Sequence, residues 1–280
     1  MSHIYDFRTT RSYQGSVQAV ILDWAGTILD FGCVAPAVVF VEVFKRHQVA
    51  LSLDESRGPM GAEKKDHIRM LTELAAVRQR WIDAHGRAPN EQDVETMYAE
   101  FIPLQLDVLA QYSELIPGAL DTLQELRAQD IKIGTTTGYN REMTEINLRE
   151  AARQGFEPDS TVSASEVPAG RPYPFMCLQN AIQLKLETVA ACVKVDDTVP
   201  GIHAGLNAGM WTIGLTVSGN EVGLTLAEWN ALSPTEQEAR RRRAFEKMSA
   251  SGAHYVVDSI ADVMPCIEDI NARLACGEKP

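Results

Sequence analysis

The sequence predicts an α/β fold: a doubly wound parallel sheet, Rossmann-like in its winding, interrupted after its first strand by an inserted helical domain. Three observations predict it. Short apolar runs rich in Val and Ile recur at 17–22, 131–134, 189–195, 210–215 and 255–257, and each reads as a strand buried on both faces. Between the later runs, 119–129, 141–154 and 174–186 carry helical periodicity, so strand and helix alternate. From 36 to 113 that alternation stops, and 37–47, 63–84 and 91–111 read as helices with little resembling a strand.

Taken in order, residues 1–16, MSHIYDFRTTRSYQGS, have neither the apolar stretch of a signal peptide nor the acid-free pattern of a transit peptide; a mobile or docking arm is expected. A core domain is expected over 17–36 and 114–280, and a helical cap domain over 37–113. Asn90 followed by Glu91 and Asp93 fits a helix start, and Pro117-Gly118 punctuates the return to the sheet. The basic run at 240–243 reads as a solvated helix face or helix end rather than an anion site.

The 280 residues, 45% apolar and 23% charged, exclude a disordered or fibrous chain. With 38 acidic against 26 basic side chains the formal charge is -12, which argues against nucleic acid and anionic lipid as partners. An anionic metabolite stays open to it, because a few local cations or backbone N–H groups override the mean field at one site. Five cysteines, at 33, 177, 192, 266 and 276, lack paired metal-ligand spacing and read as reduced thiols of a cytoplasmic protein. No stretch approaches the roughly 20 apolar residues of a membrane helix, so a soluble chain is expected.

Ligands of open parallel sheets bind beyond the carboxyl ends of the strands. There the sequence places Asp23-Trp24-Ala25-Gly26-Thr27, Thr135-Thr136-Thr137-Gly138 and Asp196-Asp197-Thr198, with Gly170-Arg171-Pro172 between the last two. Asp23, Asp196 and Asp197 brought together would repel one another unless a cation held them, and all-oxygen ligation suits magnesium. Any one of them alone is as readily a helix cap. Hydroxyls, backbone N–H groups and a guanidinium are the donors that hold a phosphoryl group. A helical reading of Pro59-Met60-Gly61-Ala62-Glu63-Lys64-Lys65-Asp66-His67 puts Met60, Lys64 and His67 on one face.

The stretches AVILDWAGTILDFGCVAP, GPMGAEKKDH, IKIGTTTGYNREM, VPAGRPYP, KVDDTVPG and NAGMWT resemble the haloacid dehalogenase superfamily, and within it the phosphonatase (phosphonoacetaldehyde hydrolase) family. The Asp, Thr and paired-acid signature is shared widely there, whereas DWAGT with PMGxxK is much more specific. The resemblance implies a magnesium-dependent enzyme of 2-aminoethylphosphonate degradation that cleaves the carbon–phosphorus bond of phosphonoacetaldehyde, and typically a homodimer. It makes Asp23 the nucleophile and Lys64 the imine-forming lysine. Asp23, the Ala25 carbonyl and Asp197 become metal ligands, with Asp196 second to them. Thr137 and Arg171 bind the phosphonate, Met60, Gly61 and His67 belong to the cap side, and Tyr139 and Cys33 lie near the site.

Ala25 stands where phosphatases of the superfamily carry a second aspartate as general acid. A carbon leaving group needs an electron sink instead, and a lysine imine supplies one. Some relatives have Gly-Asp where this chain has Asp196-Asp197, with a further aspartate at the position of Gly201. Without the resemblance, Met60 reads as packing at a helix start and His67 as an ordinary surface or core histidine. The alternative activity is a magnesium-dependent phosphate-monoester phosphatase of the same fold. A dehalogenase and a non-enzymatic phosphonate-binding module stand further off. Imine chemistry also calls for exclusion of water, which gives the cap a purpose, with hinges expected near Pro36 and Pro117.

Overall fold

The computed structural model describes residues 12–280; most of the expected N-terminal arm lies outside the described residues. Six parallel strands form one sheet in the order β3-β2-β1-β4-β5-β6: β1 (Ala19–Leu22), β2 (Lys132–Thr137), β3 (Ser160–Ser163), β4 (Cys192–Asp196), β5 (Trp211–Leu215) and β6 (Tyr255–Val257). β1 (AVIL) is buried throughout, as a strand covered on both faces must be. Five helices follow it: α1 (Val34–Arg46), α2 (Leu53–Arg57), α3 (Lys64–Glu73), α4 (Ala75–His85) and α5 (Glu91–Leu109). They pack around Phe40, Phe44, Ile68, Trp81, Met97 and Phe101, apart from the core beneath β1. The sheet is wound by α6 (Ala119–Ala128), α7 (Arg141–Arg153), α8 (Phe175–Gln183), α9 (Val199–Asn207), α10 (Leu226–Ala231), α11 (Pro234–Ala250) and α12 (Met264–Ala275). The fold is therefore the expected α/β core with an inserted helical cap. Among the described residues no helix is long and apolar enough to cross a membrane.

Several elements differ from expectation for local reasons. β3, Ser-Thr-Val-Ser, is short and polar and escapes a search for apolar runs. β2 continues through Thr137, because β-branched threonine suits a strand. Residues 189–191 form a 3₁₀ turn ahead of β4. The helix expected at 63–84 breaks at Leu74, which leaves helical geometry (φ -59°, ψ 125°) and starts α4. Asn90 caps α5 and shares a reciprocal capping box with Asp93, as its sequence suggested. α1 begins at Val34, ahead of Pro36, so the turn into the cap lies instead at Asp30, Gly32 and Cys33, all at positive φ. The returning linker runs antiparallel beside it, with Leu29 bridged to Leu115. The basic run at 240–243 sits within α11, and Arg241 pairs with Asp258 and Glu238. All five cysteines are free, four of them buried.

Candidate active site

The sheet changes winding direction where β1 lies between β2 and β4, the place where doubly wound sheets open a crevice. Register sets what faces it. Leu22 pairs with Val195, and the Asp23 N–H donates to the Val195 carbonyl at 3.0 Å, so Asp23 leaves the sheet beside Asp196 and Asp197. Carboxylate oxygens of all three lie within 4.8 Å of one another, and all three residues are buried.

Two cations answer those carboxylates. Arg171 donates to Asp23 Oδ1 and to the Thr136 carbonyl and hydroxyl at 3.0 and 2.9 Å, and stands 3.4 Å from Asp196. Lys194, fully buried within β4, places its ammonium 2.8 Å from Asp196. Burial alone would raise Asp196, but the guanidinium and ammonium hold it below the ordinary aspartate range. Asp196 also accepts from the Thr198 N–H and hydroxyl at 3.0 and 2.7 Å, so it does not face solvent. Asp197 differs: burial, then the charges of Asp23 and Asp196, push it well above the ordinary range. Its Oδ2 accepts from the Asn220 N–H at 2.8 Å, while its Oδ1 has no hydrogen-bond partner. Three buried carboxylates against two cations, with Asp197 Oδ1 left without a hydrogen bond or ion pair, fit a divalent oxygen-ligated cation.

Gly201 accounts for the departure at the paired acids. A Cβ there would lie 2.0 Å from the Asp196 carboxyl carbon, so the Asp196 carboxylate fills the space that a side chain at 201 would need.

The cap closes this crevice into a cavity of about 20 Å³, lined by Asp23, Ala25, Cys33, Met60, Gly61, Lys64, Thr137, Tyr139 and Arg171 among others. Met60 is not on the helix that the sequence suggested. α3 starts at Lys64, and Met60 reaches the cavity through the turn at Gly61, whose φ of +93° and close approach to Thr198 exclude a larger residue. Lys64 therefore has its backbone at the positive end of a helix, which disfavours an ammonium. Its Nζ lies 4.9 Å from the Tyr139 ring centre and 5.7 Å from that of Phe40. Burial pushes its pKa down, while neighbouring Cys33 and Asp23 oppose the shift.

His67 does not line the cavity. It stacks on Phe40 behind Lys64 and places Nε2 2.8 Å from the Ser56 carbonyl, and burial holds it well below the ordinary histidine value. The three threonines also separate: Thr135 bonds Thr161 of β3, Thr136 holds Arg171, and only Thr137 reaches the cavity. Sequence reasoning placed Thr198 at the strand end without giving it a part, and passed over Lys194 and Asn220. A lysine inside an otherwise apolar strand was the available signal for Lys194; Asn220 offered none.

A sequence model of the family described as haloacid dehalogenase-like hydrolase matches residues 17–209. The chain is 49% identical over 266 residues to a phosphonoacetaldehyde hydrolase of Klebsiella pneumoniae, covering 94% of this chain and 99% of that protein. It is 44% identical to one of Nitratidesulfovibrio vulgaris, covering 98% of each. The crystal structure of a phosphonoacetaldehyde hydrolase-like protein from Oleispira antarctica superposes with a TM-score of 0.96 at 46% identity, covering 99% of this chain and 100% of that one. The chain belongs to the haloacid dehalogenase-like hydrolases, in the phosphonoacetaldehyde hydrolase family.

Proposed function

We propose that the protein hydrolyses phosphonoacetaldehyde to acetaldehyde and phosphate, as its relatives' names suggest, with Lys64 and Asp23 as the two covalent residues. One observation carries this reading: a buried lysine and a buried aspartate from different parts of the chain line a single small cavity, beside an alanine where an ester hydrolase would keep its acid.

The Lys64 amine condenses with the substrate aldehyde, losing water and leaving a protonated imine. Desolvation that lowers the lysine pKa increases the neutral, nucleophilic fraction. Arg171 and Thr137 orient the phosphonate. The Asp23 carboxylate then attacks phosphorus, the carbon–phosphorus bond breaks, and its electron pair moves into the imine to give an enamine on Lys64. Protonation at carbon and hydrolysis release acetaldehyde and restore the amine. Water cleaves the aspartyl-phosphate to phosphate and free Asp23. Magnesium held by Asp23, the Ala25 carbonyl and Asp197, with Asp196 behind them, would neutralise charge between nucleophile and phosphonate. Tyr139, Phe40 and Met60 enclose the amine and exclude water from it.

The test is release of acetaldehyde and phosphate from phosphonoacetaldehyde with magnesium, with borohydride trapping in parallel. Wild type is expected to turn over and to be trapped on Lys64, and Lys64→Arg to lose activity by about three orders of magnitude or more. Equal turnover in Lys64→Arg would remove the imine from the mechanism. Turnover of phosphate monoesters without trapping would favour the phosphatase reading.

A further inference from the structure

The connection from β5 to α10, residues 216–225, supplies nothing to the cavity, yet both halves of the molecule are tied to it. The N–H of Asn220 donates to Asp197 Oδ2 at 2.8 Å. That carboxylate is wedged between Gly26 and Gly219: a Cβ on the first would lie 2.3 Å from its Oδ2, and one on the second 2.4 Å from the Asp197 Cβ. Asp197 is therefore held on one side by this loop, through Gly219 and Asn220. The loop also holds the linker into the cap, since the Gly32 N–H donates to the Ser218 carbonyl at 2.7 Å.

From the cap side comes Arg57, the last residue of α2. One guanidinium nitrogen donates to the carbonyls of Gly32 and Cys33 at 2.7 and 3.2 Å and to Asn220 Oδ1 at 3.3 Å; the other donates to the Gly223 carbonyl at 2.9 Å. The Asn220 amide returns a bond to the Arg57 carbonyl at 3.3 Å. At Gly223 (φ +65°) a Cβ would stand 2.7 Å from Arg57 Nε, so the loop is moulded around the guanidinium.

We propose that Arg57 is a positioning residue that couples seating of the cap to the Asp197 side of the metal site, through Asn220. The guanidinium clamps the Asn220 side chain while the Asn220 N–H fixes the carboxylate. Coupling of this kind is reciprocal: a seated cap favours cation binding, and the cation favours a seated cap. A planar fork serves four acceptors at once, which an ammonium does not reproduce. The inference rests on the reading of Asp197 as a cation ligand, and its test uses no phosphonoacetaldehyde, so its failure and that of the carbon–phosphorus reading are separable.

Magnesium binding to the whole protein is measured by titration calorimetry, with amide hydrogen exchange at 29–36 and 216–225. Arg57→Ala and Asn220→Ala are each expected to weaken magnesium binding about fivefold or more, with Arg57→Lys between them and wild type. The double variant should bind about as weakly as the weaker single one, because the two residues act in one link. Exchange should rise in both segments. Should Arg57→Ala fail to fold, Asn220→Ala carries the test, since it keeps the backbone N–H on Asp197. Affinity within about twofold of wild type in the soluble variants, with exchange rising only at 29–36, would make Arg57 a staple of the linker and overturn the proposal. Absence of magnesium binding by the wild type would overturn it as well.

Discussion

At Gly201 the lack of a side chain is what lets Asp196 occupy its place. A Cβ there would meet the carboxylate at 2.0 Å, and Asp196 is held by Lys194, Arg171 and Thr198. Gly201→Ala is therefore expected to lower stability by about 1–3 kcal/mol and to reduce turnover by displacing a carboxylate that steadies Arg171. Thermal melts and phosphate release check this. The exchange Asp196→Gly with Gly201→Asp returns one carboxylate to the same space and should recover stability lost in Gly201→Ala. A Gly201→Ala protein as stable and active as wild type would show that the loop yields freely. Residue types at this site were legible because Asp23, Arg171 and Asp197 each sit beside a strand end or a Gly/Pro turn. Lys194 was not, because its role comes from burial against Asp196 and not from any local pattern.

Among the elements, α1 has an unusual start. Cys33 at its N-cap makes no side-chain capping bond, and Asp30 instead accepts from the N–H groups of Val34 and Ala35, each at 3.0 Å. Burial pushes Asp30 up to about 7 in spite of those bonds and of nearby Arg57 and Lys64. In the unfolded chain its value is about 3.9. Between these values the folded protein holds a proton that the unfolded chain has released. The contribution of Asp30 is thus most favourable below about pH 4 and is lost as pH rises through about 7, by roughly 4 kcal/mol at most. Asp30→Asn, which keeps an acceptor but does not titrate, should flatten this slope. Comparing melts of the two proteins from pH 4.5 to 8 isolates it, and parallel curves would remove Asp30 as the source.

For the whole molecule, the cavity of about 20 Å³ has room for little more than one water, far less than phosphonoacetaldehyde needs. Substrate entry under the proposed reaction therefore requires the cap to lift, about the paired linkers at Leu29 and Leu115. Small-angle scattering with magnesium is expected to show a larger radius of gyration without inorganic phosphate than with it, and one invariant profile would refute large opening. The sheet restrains the rest: β1 is bonded on both sides, so such an opening would lift the roof and leave the crevice floor in place.

Local chemistry in the sequence determined the class of fold, the interruption after the first strand and the strand-end residues that face the crevice. Periodicity and turn residues act over a few positions, and these features are set at that range. The tertiary structure alone decided which groups meet. Asp23 lies by Asp197 because β1 is inserted between β2 and β4, and Lys64 enters the cavity because a turn at Gly61, rather than a continuous helix, delivers α3. The same holds for Asn220, whose hold on Asp197 spans residues far apart in sequence and leaves no short-range trace.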